Sequence, residues 1–192
     1  MTEGDGLLKV FSCDIRLFSQ EDFDKMYKQA DRARKEKADR LKDESKRKLS
    51  LAADMLVRDA ISKELGIKKE EIVFETNENG KPYAKGLDIH FSLSHSGDFV
   101  FLALSDGPVG IDAEKMRDVN LDIANRMFTE GEKDYVFKEE EKIKERFFEI
   151  WTKKEAYVKM LGGRVLDFLS FSVLEKNIET KRHGDYTVSI SK

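Results

Sequence analysis

Residues 89–114 contain three short apolar segments set apart by two turn sequences, so the middle of the chain is read as β-structure. Ile89, Phe91 and Leu93 alternate with His90, Ser92 and Ser94, Ser96-Gly97-Asp98 turns the chain, and residues 99–104 return as an apolar strand. Asp106-Gly107-Pro108 turns it again into a third strand over 109–114. The flanking segments are mostly helical in period. Leu49, Ala52, Ala53, Leu56, Val57, Ala60, Ile61 and Leu65 recur at helical spacing up to Gly66, which predicts a core-packed helix over about 42–65. A strand over 7–18, a charged helical stretch to about residue 37 and a short strand over 72–75 complete the first part. After residue 115, helical patterns cover 121–128, 130–137 and about 140–161, stopping at Gly162-Gly163, and strands are expected at 169–174 and 186–190. Strand, helices and strands thus occur twice in the same order, without a repeat of residue identities.

A chain of 192 residues is long for one small domain and short for two independent ones, so one domain or two intimate halves is expected. With 40% hydrophobic and 38% charged residues it is far too apolar to be disordered. No run reaches membrane-spanning length, and the opening residues carry two acids ahead of the apolar stretch, unlike a signal peptide. Cys13 is the only cysteine, which rules out an internal disulfide and a cysteine-rich zinc cluster and fits a reducing cytoplasm. The net charge of −3 conceals a basic stretch over 22–48, with eleven Lys or Arg against seven Asp or Glu. Most of these residues read as a solvated helix face laced with i,i+4 ion pairs, and a few remain to bind phosphate.

Three segments could carry chemistry. In Gly110-Ile111-Asp112-Ala113-Glu114 the two acids are two apart in an extended segment, so both carboxylates share one face. They read either as an oxygen-ligand site for a hard cation or as solvated acids before a turn. Within 148–159, Phe148, Thr152, Glu155 and Lys159 fall on one helical face beside a core stripe of Phe147, Trp151, Val158 and Leu161, and Lys153 and Lys154 are expected to face solvent. In Phe91-Ser92-Leu93-Ser94-His95-Ser96-Gly97 the serines and His95 point to opposite faces and no nucleophile elbow is present, so Ser-His hydrolysis is discounted. His95 is left as a locally satisfied turn residue or a hydrogen-bond donor to phosphate.

Taken in order, GKP (Gly80 to Pro82), FSLSHSGD (Phe91 to Asp98), GIDAE (Gly110 to Glu114) and FFEIWTKKEAYVK (Phe147 to Lys159) closely resemble the 4'-phosphopantetheinyl transferase superfamily. The length resembles that of its surfactin-synthetase-activating type. The resemblance implies an α+β fold of two similar halves related by pseudo-twofold symmetry, 1–115 and 116–192, forming one compact unit that needs no second copy. It implies an enzyme that moves phosphopantetheine from coenzyme A to a serine of an apo acyl, peptidyl or aryl carrier protein, releasing 3',5'-ADP, with no nucleic-acid or membrane partner. By the same resemblance Asp112, Glu114 and Glu155 hold Mg2+ or Mn2+, Glu155 accepts the serine proton, and Lys159 stabilises the pyrophosphate charge. Lys81, Ser94 and His95 would contact the nucleotide phosphates, and Glu132 matches a further acidic position near the site. Family members carry an arginine where this chain has Leu49, so Arg47 or Lys48 is expected to serve coenzyme A there. A rim of Met116, Arg117, Met127 and Phe128 is expected to meet the acidic carrier. The competing readings are a Mg2+-dependent phosphohydrolase and a basic helical module over 25–48, which leaves the spacing of the acids unexplained.

Overall fold

The protein is described by a computed structural model over residues 6–163 and 171–192. Strand β1 (Leu8–Asp14) leads into three helices, each opened by a side-chain cap: α1 (Gln20–Gln29) by Ser19, α2 (Arg32–Arg40) by Asp31 and α3 (Glu44–Leu65) by Asp43. The single charged stretch expected before α3 is therefore two helices. Ala30 and Asp31 are extended, and the Asp31 carboxylate accepts from Arg34 N, restarting the helix at Arg32 after a break of two residues. Gly66, in the left-handed conformation at φ 67°, terminates α3.

A hairpin of β2 (Phe74–Thr76) and β3 (Pro82–Ala84) follows, then β4 (His90–Ser96), β5 (Phe99–Ser105) and β6 (Gly110–Lys115). Helices α4 (Asp122–Met127), α5 (Glu130–Phe137) and α6 (Ile143–Leu161) precede a last hairpin, β7 (Ile178–His183) and β8 (Tyr186–Ser191). The chain is thus α+β. Two three-stranded antiparallel sheets, β1-β5-β4 and β6-β8-β7, have the same plan: a first strand, then helices, then a hairpin whose last strand pairs with the first. Strand β6 belongs to the second sheet, so the chain changes sheet at the Asp106-Gly107-Pro108 turn, ahead of the 115/116 division expected from sequence.

Strand β5 reads as an unbroken apolar run because both of its faces are covered. Leu102 and Leu104 join Val57, Ile61 and Phe91 beneath α3, whereas Phe101 and Ala103 pack with Ile111, Ala113, Val188 and Ile190 of the second sheet. Strand β8 is buried at every position for the same reason, lying between β6 and β7 and beneath α6. Strand β7 was not anticipated. Its sequence IETKRH is an edge strand with only Ile178 buried, so it lacks the apolar alternation that marks a half-buried strand. The expected strand at 169–174 is absent over 171–174, and its first two residues lie outside the described residues.

Helix α6 presses on the start of β6 at Gly110. A Cβ there would fall inside contact distance of the Ala156 carbonyl oxygen and the Met160 amide, both backbone atoms that cannot rotate away. Gly110→Ala is therefore expected to destabilise the fold by about 1–3 kcal/mol or more, measured as a lower urea midpoint at an unchanged slope.

Candidate active site

Strands β4 and β6 belong to different sheets but run side by side, and the serines of β4 join them. Ser92, Ser94 and Ser96 Oγ accept from the backbone N–H of Ile111, Ala113 and Lys115 at 3.1, 3.2 and 3.0 Å. The pairing advances by two residues on both strands, so they run parallel. Ser94 Oγ also donates to Asp112 Oδ1 and Ser96 Oγ to Glu114 Oε2, each at 2.9 Å. Because serines recur every second residue, one face of β4 both joins the sheets and orients the two acids. His95 and Leu93 take the opposite face.

A cavity of about 380 Å³ is lined by Ser94, His95, Asp112, Glu114, Trp151, Glu155 and Lys159. Lys159 Nζ donates to Asp112 Oδ1 at 2.7 Å. Asp112 Oδ2 is buried without a hydrogen-bond partner. Burial, followed by the Asp112 and Glu114 charges, pushes the Glu155 carboxyl up to about 7, and Lys159 only partly offsets this. Burial and then Asp112 also raise Glu114, against Ser96 and Arg117. The site therefore carries more negative charge than Lys159 compensates. Among the described residues no group of three His, Cys, Asp or Glu side chains is close enough to enclose a metal ion. An orphaned carboxylate oxygen beside two crowded carboxyls nevertheless fits a small hard cation that keeps several waters, as Mg2+ does.

His95 and Leu93 also border a second cavity, of about 870 Å³, between α2, the start of α3 and the β2–β3 hairpin. Its cationic edge is Arg34, Lys37 and Lys46. Arg34 is held by Asp54 at 3.1 Å and Ser50 at 3.2 Å. Burial, and then the Arg34 charge, lowers the Lys37 ammonium. Burial and then the Lys159 charge lower His95, favouring the neutral ring.

Six of the residues singled out from sequence, Ser94, His95, Asp112, Glu114, Glu155 and Lys159, meet in the small cavity. The others lie elsewhere. Arg47 donates to the Leu41 carbonyl and Lys48 pairs with Glu44 at 2.7 Å, and neither lines the large cavity. Arg34 and Lys37, which do line it, were not singled out, although the 22–48 run was the signal and the two share a face at i,i+3. Lys81 Nζ turns into the seam between the sheets and donates to the Val109 and Met160 carbonyls at 3.0 and 3.4 Å, and burial lowers it to about 8. Glu132 is not at the site. It is fully buried against Lys154 at 3.0 Å, so Lys154 does not face solvent as expected, and Lys153 is partly covered and bonds Glu149. In the expected carrier rim Phe128 is buried among α4 and α6 side chains, while Arg117 is exposed and reaches Glu114 at 3.4 Å. In the expected core stripe of α6, Leu161 is exposed.

The comparisons with known proteins cover both halves of the chain. A family model described as the 4'-phosphopantetheinyl transferase superfamily matches residues 108–191, and one described as the N-terminal part of a 4'-phosphopantetheinyl transferase matches residues 18–106. The chain is 35% identical over 178 residues to the 4'-phosphopantetheinyl transferase Sfp of Bacillus subtilis (strain 168), covering 91% of this chain and 76% of that one. The chain belongs to the 4'-phosphopantetheinyl transferase superfamily. It is similar as well to the 4'-phosphopantetheinyl transferase gsp of Aneurinibacillus migulanus, at 38% identity over 135 residues, 68% of this chain and 56% of that one. With the 4'-phosphopantetheinyl transferase AcpT of Escherichia coli (strain K12) it shares 38% identity over 126 residues, 62% of this chain and 59% of that one. These likenesses make the chain a phosphopantetheinyl transferase of the Sfp type, and the boundary between the two matched regions falls at the turn where the chain changes sheet. Among the described residues, no helix of this transferase is long and apolar enough to cross a membrane.

Proposed function

We propose that this chain transfers the 4'-phosphopantetheine moiety of coenzyme A to a serine hydroxyl of an apo carrier protein, releasing 3',5'-ADP in a Mg2+-dependent reaction. The observation that carries this reading is the junction at β4. There His95 borders both a large cavity edged by Arg34, Lys37 and Lys46 and a small one holding Asp112, Glu114, Glu155 and Lys159. The first suits the phosphates of a nucleotide, and the second suits a centre where negative charge builds during phosphoryl transfer.

In the reaction, the carrier serine Oγ bonds to the β-phosphorus of coenzyme A, the bond from that phosphorus to the bridging oxygen breaks, and 3',5'-ADP leaves with the electron pair. We assign the serine proton to Glu155, which burial keeps near neutrality at about 7 and so suits to proton transfer. Lys159, oriented by Asp112, offsets charge on the departing phosphate. His95 donates a hydrogen bond to a phosphate where the cavities meet. Bound Mg2+ would be held by Asp112, Glu114 and Glu155 and would supply Lewis-acid charge at the pyrophosphate oxygens, and Mn2+ shares the preference for oxygen ligands. The orphaned Asp112 Oδ2 supports that assignment. We further read the chain as two halves divided near residue 107 and related by a pseudo-twofold axis, supported by the shared strand plan, and working as a monomer in the cytoplasm.

Incubating the protein with coenzyme A, Mg2+ and a purified apo acyl carrier protein is expected to add one phosphopantetheine to the carrier's intact mass, and EDTA is expected to prevent it. Hydrolysis of coenzyme A with no gain of mass on several carriers would overturn the transferase reading in favour of a phosphohydrolase.

A further inference from the structure

The last turn of α6 carries Lys159, and its carbonyls have partners from the other half of the molecule. A helix C-terminus leaves carbonyls unpaired and frays unless they are capped. Here Gly162 N and Gly163 N close back on the Lys159 and Val158 carbonyls at 3.2 and 3.0 Å. The carbonyls beyond are taken by the turn between β2 and β3. Asn77 Nδ2 and Asn79 Nδ2 donate to the Gly162 carbonyl at 3.2 and 2.9 Å, and Lys81 Nζ donates to those of Met160 and Val109. A lysine ammonium at a helix C-terminus also complements the helix dipole.

This turn is itself tightly knit. Asn77 Oδ1 accepts from Asn79 N at 3.0 Å and Lys81 N at 2.8 Å, and Asn77 N donates back to the Lys81 carbonyl at 2.9 Å. Its outer side belongs to the large cavity, which Thr76, Gly80 and Pro82 line. The close fit extends to Gly162, where a Cβ would meet Asn77 Nδ2 at 2.8 Å. Val109 immediately precedes the contact of Gly110 with α6, so Lys81 ties the start of β6 to the end of α6 beside that contact.

We propose that Lys81, Asn77 and Asn79 are positioning residues that clamp the last turn of α6 from the first half of the molecule, so that Lys159 meets Asp112. The inference rests on the reading of Lys159 as a catalytic group. It gives Lys81 a different part from that of a phosphate ligand, because its ammonium is engaged by two backbone carbonyls instead of facing the cavity.

The test compares wild type, Lys81→Met and the double variant Asn77→Ala/Asn79→Ala in two measurements: hydrogen exchange of the 158–163 amides without substrates, and kcat and KM for carrier loading. The expected result for both variants is loss of amide protection confined to 158–163, with kcat lowered about 10- to 100-fold and KM for coenzyme A within about twofold of wild type. A raised KM for coenzyme A with kcat retained would make Lys81 a ligand contact, and lost protection with both constants retained would make the turn purely structural; either overturns the proposal. Should Lys81→Met fail to fold, the double variant, which alters no charge, decides alone. Carrier loading absent from wild type would refute the transferase reading, while retained protection in the variants would refute the clamp separately.

Discussion

Glu155→Gln is expected to lower kcat for carrier loading by about 10²- to 10⁴-fold while leaving the fold intact. Glutamine keeps the shape of the side chain but cannot take a proton and removes one negative charge from the small cavity. The same substitution is expected to stabilise the protein in a chelating buffer at neutral pH. The Glu155 carboxyl is held up at about 7 by burial and by Asp112 and Glu114, against an ordinary value of 4.5. Between those values the native state binds more protons than the unfolded chain, so stability contributed by the protonated form is complete below about 4.5 and is lost as pH rises through 7. A glutamine, which does not ionise, avoids that loss. Thermal melts with EDTA should therefore show the variant above wild type at pH 7.5 and level with it at pH 4.5. Retained turnover would remove Glu155 from the reaction, and an unchanged melting difference across that pH range would show that burial and the charges of Asp112 and Glu114 do not hold its carboxyl up.

Lys154→Met is expected to cost about 3–5 kcal/mol, because it removes one partner of a buried ion pair and leaves the other uncompensated. The Lys154 and Glu132 side chains are 1% and 0% exposed. Lys154 also donates to the Phe171 carbonyl at 2.6 Å, and Glu132 accepts from Thr129 N at 2.8 Å and Val173 N at 2.9 Å. The pair thus binds α6, the start of α5 and the chain at 171–173 together. Burial lowers the Lys154 ammonium and the Glu132 charge opposes it. For a chain of this size the loss corresponds to a fall in melting temperature of about 6–20 °C. Combining it with Glu132→Leu should recover much of the loss, since a buried pair replaced by apolar groups is often near neutral. A single variant melting with wild type would mean that the pair is not desolvated.

Much of the fold and of the site is legible in the sequence. The α3 and α6 periods, the stops at Gly66 and Gly162, the alternation of β4 and the two acids of β6 all depend on residues within a few positions of one another. The resemblance to phosphopantetheinyl transferases rested on four local motifs, and the family matches later covered nearly the whole chain. Less was legible where exposure decides the pattern. Edge strand β7 lacks alternation because solvent covers most of it, and the helix break at Ala30–Asp31 is hidden in a run of charges.

The sequence by itself determined the strongly periodic helices and strands, such as α3, α6 and β4, and that Asp112 with Glu114 and Glu155 with Lys159 share faces, because backbone geometry enforces periods of 2 and 3.6 on any chain. Only the tertiary structure decided which polar groups are buried and what they meet. Lys153 and Lys154 are neighbours, yet only the second turns beneath the 171–173 segment onto Glu132. Of the basic residues over 22–48, packing of α2 on α3 chose Arg34, Lys37 and Lys46 for the cavity. Lys81 reaches carbonyls 28 and 79 residues away. A lysine has the same local preferences in solvent, in an ion pair or at a helix end, so its role is set by partners that the fold brings to it from distant parts of the chain.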